Sequence, residues 1–137
     1  MFFNKKTAEE TSYLIKIGAL LIHAAKIDEN FTDKEEQIIE KTLLDLGAKN
    51  IDIKSIIIEA KKIEEQSNQI LDFTKEIKKM GNNEKIKIIE TLWRIIYSNK
   101  EEDMYEANLM RRLSGLLYID SKIMGDIKEK IKKENLL

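Results

Sequence analysis

Two segments of the chain, which begin at Leu21 and Leu92 and are therefore 71 residues apart, share one pattern. Each has an apolar helical run, a short acidic turn and the start of a second helix. In the first segment Thr32 precedes Glu35 by three positions, the spacing of a capping box, in which both side chains bond to free backbone N–H groups. Glu106 holds the matching position in the second segment. The pattern predicts two helical hairpins related by a pseudo-twofold rotation.

Apolar residues recur at helical spacing along the rest of the chain, and no useful stretch alternates between apolar and polar residues as a strand would. Proline is absent, and the five glycines are scattered. We therefore expect seven helices, at about 7–26, 33–46, 52–65, 69–80, 84–98, from 104 and from 121. From these helices we predict an all-α bundle that forms a single domain over residues 1–137, with the core of the domain at about 7–134.

Three details of packing follow from the same spacing. Gly18 and Ala19 lack bulk and predict that another helix approaches the first one closely. Trp93 is expected in the core rather than on a binding surface. The last helix is predicted to bury Ile123, Ile127 and Ile131.

Composition excludes several classes of site and partner. With 24 basic and 25 acidic residues the net charge is −1, so no basic field favours binding to nucleic acid. The absence of cysteine excludes disulfides and thiolate metal sites, and one histidine excludes a multi-histidine site. The most apolar segment, 13–27, is too short to span a bilayer. We expect a cytoplasmic protein that does not insert into the membrane.

No catalytic arrangement is present in the sequence. It has no glycine-rich phosphate loop, no G-x-S-x-G and no H-x-x-x-H motif. We therefore expect a protein that is not an enzyme, with a hydrolase as a distant third hypothesis behind an adaptor and a cation-binding protein.

Several motifs resemble the TerB-like, tellurite-resistance-associated family, in its compact stand-alone bacterial branch. The residues that resemble the second half of the family pattern are Leu92-Trp93, the run 97–103, Glu106, Arg111-Arg112 and Leu116-Leu117. Lys26-Ile-Asp28 and Glu35 resemble the first half of that pattern, and residues 70–77 resemble its middle helix. The resemblance, over about residues 7–134, implies an all-helical bundle of about seven helices without enzymatic activity. It also implies a stress-response adaptor that binds protein partners, including membrane-associated ones, and acidic turns suggested to bind a metal ion.

The first acidic turn offers hard oxygen ligands of the type preferred by Ca²⁺ or Mg²⁺, with Asp28 and Glu35 as the candidate metal ligands. It is not an EF-hand, because Asp33 stands where that loop needs glycine and Ile39 where it needs glutamate. Helix capping explains much of the same pattern, since carboxylates are favoured at helix N-termini. A cation site and a purely structural turn both remain open.

The second turn departs from the family pattern. Its candidate ligands are Asn99, Asp103 and Glu106, but Asn99 replaces an aspartate and Lys100 replaces a glycine. A fixed ammonium among carboxylates opposes a metal ion. We therefore expect any cation at the first turn, and at the second we expect Lys100 either to take the place of a cation or to be solvated. His23, one helical turn before Asp28, is either a partner of an acidic residue or a half-buried polar residue.

Overall fold

The computed structural model describes residues 5–27, 31–67, 69–98 and 104–134, with the side chains of 5–10 and of Met104 left aside. The described residues form an all-α structure. Its seven helices are α1 (Lys5–Ala25), α2 (Asp33–Asp45), α3 (Ile53–Gln66), α4 (Leu71–Ile77), α5 (Asn82–Ser98), α6 (Met104–Leu116) and α7 (Ser121–Glu134). Among the described residues, no helix combines the length and the apolar character needed to cross a bilayer.

Helix α1 lies at the centre of the bundle. It packs against α2, α3, α4 and α5. Residues 19–22 are four consecutive buried positions, which cover a full turn of the helix, and such burial all round is typical of a core helix. A Cβ atom built on Gly18 would lie 3.1 Å from the Cβ atom of Ala60 in α3. The predicted close approach of another helix at Gly18 is therefore confirmed.

A buried pair of hydroxyl groups joins α2 to α5. The Oγ1 atoms of Thr42 and Thr91 are 2.7 Å apart. Thr91 donates its own proton to the carbonyl oxygen of Lys87 at 2.8 Å, so Thr42 is the donor between the two threonines. Since both hydroxyl protons have acceptors, the contact avoids the cost of an unpaired buried polar group.

Ion pairs hold α7 against α5 at the surface. The guanidinium of Arg94 donates to both carboxylate oxygens of Glu134 at 3.2 Å, and Lys130 Nζ lies 2.8 Å from Glu90 Oε2. The hydrogen bond from Arg94 lowers the pKa of the Glu134 carboxyl, and the same bond raises the pKa of Arg94. These groups are partly exposed, so solvent screening keeps their contribution to stability small.

Two expectations from the sequence differ from the structure. Helix α4 is shorter than predicted, because α-helical backbone covers only Leu71–Ile77 of the expected 69–80. The prediction that Ile123 is buried was wrong, since it is 42% exposed and its neighbour Met124 is 6% exposed. One residue turns a helix by about 100°, and the buried stripe of α7 begins at Met124.

Helices α2 and α6 end in the same hydrogen-bonded cap. After α2, Ala48 N–H donates to Leu43 O and Gly47 N–H donates to Leu44 O. After α6, the corresponding donors are Ile119, bonded to Ser114 O, and Tyr118, bonded to Gly115 O. Both sets are Schellman motifs, in which the residue after the helix adopts a left-handed conformation.

The left-handed residues of the two caps are separated by the same 71 positions as the acidic turns. They are Gly47, with φ +116°, and Tyr118, with φ 56°. The repeat therefore extends from the acidic turns to the ends of the second helices of both hairpins. The rotation that relates the two hairpins stays a prediction.

The cap at Gly47 gives a direct test of backbone strain. Gly47→Ala should lower the free energy of unfolding by about 1 kcal/mol, because side-chain-bearing residues disfavour positive φ. A Cβ atom at Gly47 would meet nothing within 4 Å, so a steric clash cannot be the reason. The measurement is urea unfolding followed by circular dichroism.

Gly115→Ala is the matched control. Gly115 lies within α6 and its Cβ position is also open. Alanine there should raise stability by about 0.5–1 kcal/mol through helix propensity. Equal effects of the two substitutions would contradict the role assigned to the left-handed cap.

Candidate functional site

One cleft is lined by described residues that lead into the first acidic turn and out of the second. Ile27, which follows α1, lines it together with Tyr105, Asn108, Leu109 and Arg112 of α6. The cavity volume is about 550 Å³. We call this cleft the turn cleft. Its lining shows that the segments leading into the first turn and out of the second are spatial neighbours, although about 80 residues separate them in the sequence.

The predicted site residues divide between described and undescribed parts of the chain. Asp28 of the first turn, and Asn99, Lys100 and Asp103 of the second, lie outside the described residues, so their predicted roles stay predictions. Glu35 and Glu106 are described, and both are buried, at 1% and 5% exposure. The repeat thus places a buried glutamate in the first turn of α2 and of α6.

Glu35 takes part in the capping box that the sequence predicts. Thr32 N–H donates to Glu35 Oε1 at 2.8 Å, and the Thr32 hydroxyl lies 3.0 Å from the same oxygen. In return, Glu35 N–H donates to Thr32 Oγ1 at 3.1 Å. A cation sharing Glu35 would have to compete with these donors at Oε1.

The described residues contain no group of three His, Asp or Glu side chains arranged to hold a metal ion. A cation site at the first turn therefore depends on oxygen atoms of the segment 28–30. Thr32 and Glu35 supply oxygen donors of the correct chemical type beside that segment. The residues present fit a hard cation in chemistry, and the geometry of such a site stays a prediction.

A second polar cluster lies next to the first turn, where α1 and α3 end. The carboxylate of Glu64 is buried, and it accepts a hydrogen bond from Lys26 Nζ at 2.8 Å. His23 Nδ1 lies 3.5 Å from the other oxygen of Glu64, and the imidazole also packs at a tilt on Phe73 with ring centroids 6.1 Å apart. The favoured interpretation of His23 as a half-buried polar residue is confirmed, and the imidazole is also the neighbour of an acidic residue.

Glu64 is the residue that the reading of the sequence missed. Ile57, Ala60 and Glu64 follow one another at the spacing of a single helix face, and all three are buried. That spacing predicts burial of Glu64. Its partners on α1 could not be foreseen from α3 alone, because they depend on how the two helices pack.

Each lysine of α3 is paired with a carboxylate. Lys61 Nζ lies 2.6 Å from Glu36 Oε1 and 5.7 Å from the ring centroid of Phe31. Lys54 pairs with Glu40 at 3.2 Å. Lys54 and Lys61 therefore join α3 to α2, while Lys62 pairs with Glu59 within α3, so the three lysines do not form a basic surface for a partner.

The Glu64 cluster leads to a prediction about stability. Lys26→Met should lower the free energy of unfolding by about 1–3 kcal/mol, because it removes the closest donor from a buried carboxylate. The comparison is Lys62→Met, since Lys62 pairs with Glu59 at 3.4 Å where both groups are exposed. That change should stay within about 0.5 kcal/mol. Similar losses in the two variants, measured by urea unfolding, would contradict the importance of Glu64 burial.

Comparison with known proteins gives one clear relationship. The family model described as tellurite resistance protein TerB matches residues 14–129, which is most of the 137-residue chain. Curated proteins and solved structures give no significant match. The matched region includes both acidic turns, the capping box and the two buried glutamates. The chain belongs to the TerB family.

Proposed function

We propose that this chain is a non-enzymatic adaptor domain of a tellurite- or chemical-stress response, which works in the cytoplasm by binding protein partners. Partners at the inner face of the membrane are included in the proposal. Membership of the TerB family supports the link to tellurite resistance. The observation that supports the adaptor role is the turn cleft, whose lining includes the exposed side chains of Tyr105 and Arg112.

The turn cleft offers two side chains of the types that dominate protein interfaces. Tyr105 is 72% exposed, and Arg112 is also exposed. Arg112 makes no ion pair with another described side chain, whereas Arg94 is held by Glu134. Tyrosine and arginine are enriched among residues that carry most of the binding energy at interfaces. An exposed guanidinium that lines the same cleft as an exposed ring favours a partner with a carboxylate and an apolar group.

The positions of Tyr105 and Arg112 on α6 also support a role in binding a protein partner. Tyr105 and Arg112 lie two turns apart on one face of α6, and Leu109 between them is buried. The buried leucine anchors that face, so the tyrosine and the arginine project from a fixed backbone. Binding groups on a rigid element lose less entropy on association than groups on a flexible loop.

Affinity purification from the native host tests the adaptor proposal. The wild-type chain should retain a reproducible protein, and the double substitution Tyr105→Ala/Arg112→Ala should reduce its recovery at least tenfold. Quantitative mass spectrometry of the eluates gives the measurement. Both residues are on the surface, so the variant should melt within about 2–4 °C of the wild type.

Tyr118→Ala is the control, because Tyr118 is as exposed as Tyr105 but lies at the end of α6. It should retain the same partner as the wild type. The adaptor role is refuted if the wild type retains no reproducible partner. If all three proteins retain the partner equally, the turn cleft is not the binding surface.

A divalent-cation-binding protein is the second candidate. The buried carboxylates of Glu35 and Glu106, each in the first turn of a helix that follows an acidic segment, favour it, because carboxylate oxygens are the ligands that hard cations prefer. Donors from Thr32 already hold Glu35, so this hypothesis ranks below the adaptor. Calorimetric titration with Ca²⁺, Mg²⁺ and Zn²⁺ separates the two functions.

The two turns should respond differently to a cation. Asp28→Ala should abolish any cation-dependent rise in melting temperature, while Asn99→Ala should leave it intact, because Lys100 already supplies positive charge at the second turn. Asp103→Ala should lower stability by about 0.5–2 kcal/mol without any metal, as the loss of a helix cap does. Differential scanning calorimetry with and without Ca²⁺ gives the result. Equal destabilisation by Asp28→Ala in both conditions would leave both turns with a capping role only.

A further inference from the structure

The turn cleft is small enough to select one short piece of a protein partner. Four of its lining residues, Tyr105, Asn108, Leu109 and Arg112, have the spacing of a single face of α6, and Ile27 completes the lining. This face extends about 10 Å along the helix axis. An extended peptide advances about 3.3 Å per residue, so roughly three residues of a partner cover the cleft.

Arg112 gives the cleft a single positive charge. It is the one charged residue among the described residues that line the cleft, and its side chain is exposed. Within the described part of the chain it forms no ion pair, whereas the guanidinium of Arg94 is held by Glu134. A guanidinium offers two parallel N–H donors to the two oxygens of a carboxylate. The charge of the lining therefore matches a ligand group with one carboxylate.

The apolar part of the lining lies close to this charge. Leu109 is 8% exposed, and Ile27 is a partly buried residue packed against the core. Leu109 and Arg112 are three positions apart on α6, so their Cβ atoms are about 5–6 Å apart. A ligand that uses both residues must carry a carboxylate and an apolar group at a similarly short separation.

The last residue of a peptide chain meets this requirement by itself. Its α-carboxylate and its side chain are bonded to the same Cα atom. In an internal segment the carboxylate is the side chain of an aspartate or glutamate, so the apolar group must come from another residue. Neighbouring side chains of an extended segment point to opposite faces, and an internal segment would not place both groups in one small cleft.

Building on the proposed adaptor role, we propose that the turn cleft binds the C-terminus of the partner protein. The α-carboxylate of the partner lies against the guanidinium of Arg112. The apolar side chain of its last residue lies against Leu109 and Ile27.

Asn108 supplies a hydrogen bond to the peptide backbone. Its Oδ1 atom accepts a hydrogen bond from Arg111 at 3.4 Å, and its amide nitrogen has no acceptor among the described residues. A side-chain amide donates readily to a peptide carbonyl oxygen. The carbonyl of the last peptide bond of the partner is the acceptor that the proposal assigns to it.

Tyr105 selects the residue that precedes the C-terminal pair. Its ring is 72% exposed, and it lies one helical turn before Leu109, on the side away from Arg112. The sequence beside both lining segments is acidic, since Asp28 follows Ile27 and Asp103 comes shortly before Tyr105. A lysine of the partner at this point would stack on the ring of Tyr105 and match the acidic sequence.

Three short peptides test the proposal on the full chain labelled with ¹⁵N. The first is acetyl-Lys-Ala-Leu with a free carboxylate, and the second is the same peptide with a C-terminal amide. The third, acetyl-Lys-Leu-Asp-amide, has the same net charge as the first but carries its carboxylate on an internal side chain. The first peptide should shift the side-chain amide cross-peaks of Asn108 in a saturable way that fits one site. The amide should bind at least tenfold more weakly, and the third peptide at least fivefold more weakly.

Arg112→Gln should weaken binding of the free-carboxylate peptide at least tenfold and leave binding of its amide unchanged. Lys122→Gln is the matched control, because it changes the net charge equally at an exposed position of α7 outside the cleft lining. It should bind all three peptides as the wild type does. Both positions are exposed, so both variants should keep the stability of the wild type.

Recognition of a C-terminus is overturned if the free-carboxylate peptide causes no saturable shift, if its amide binds equally well, or if Arg112→Gln binds as well as Lys122→Gln. Equal binding of the third peptide also overturns it, and assigns the cleft to internal acidic segments instead. The peptides require no native partner. A partner recovered from the host through Tyr105 and Arg112 would therefore still support the adaptor role after any of these results. Conversely, peptide binding without any recovered partner would refute the adaptor role alone.

Discussion

The close contact of α1 with α3 at Gly18 and Ala60 determines how the other helices can be placed. Because the two backbones approach closely there, α1 is enclosed along residues 19–22 and its last turn lies against the end of α3. That alignment brings Lys26 and His23 to Glu64. Lys26 belongs to this cluster and precedes Asp28 by two positions in the sequence, so the described chain ends beside Glu64 just before the first acidic turn. Bulk at Gly18 would therefore disturb the candidate site as well as the core.

Features that depend on local sequence could be predicted, and features that depend on the pairing of helices could not. The capping box at Thr32 and Glu35 needs residues three positions apart, and the structure contains it. The cap at Gly47 is similarly local. In contrast, the partners of Glu64 lie 38 and 41 positions away, at Lys26 and His23, where no periodicity in α3 indicates them.

The buried face of α7 shows a more limited kind of error. Ile123, Ile127 and Ile131 have helical spacing, and so do Met124, Ile127 and Ile131. The hydrophobicity of isoleucine favoured the first set, but α7 packs on α5 with Met124 inward. A shift of one residue is a rotation of about 100°, and sequence alone did not determine it.

The two halves of the chain keep the same framework but differ in their surface chemistry. Both have a buried glutamate at the start of the second helix and a left-handed cap at its end. At that cap the first half has Gly47, which adopts positive φ readily, and the second has Tyr118, which does not. The ring of Tyr118 lies 5.9 Å from the ammonium of Lys85, a contact that offsets part of this backbone strain. The second half also contributes the exposed Tyr105 and Arg112 of the turn cleft. Both halves therefore supply buried side chains to the core, while the second also carries the side chains proposed to bind a partner.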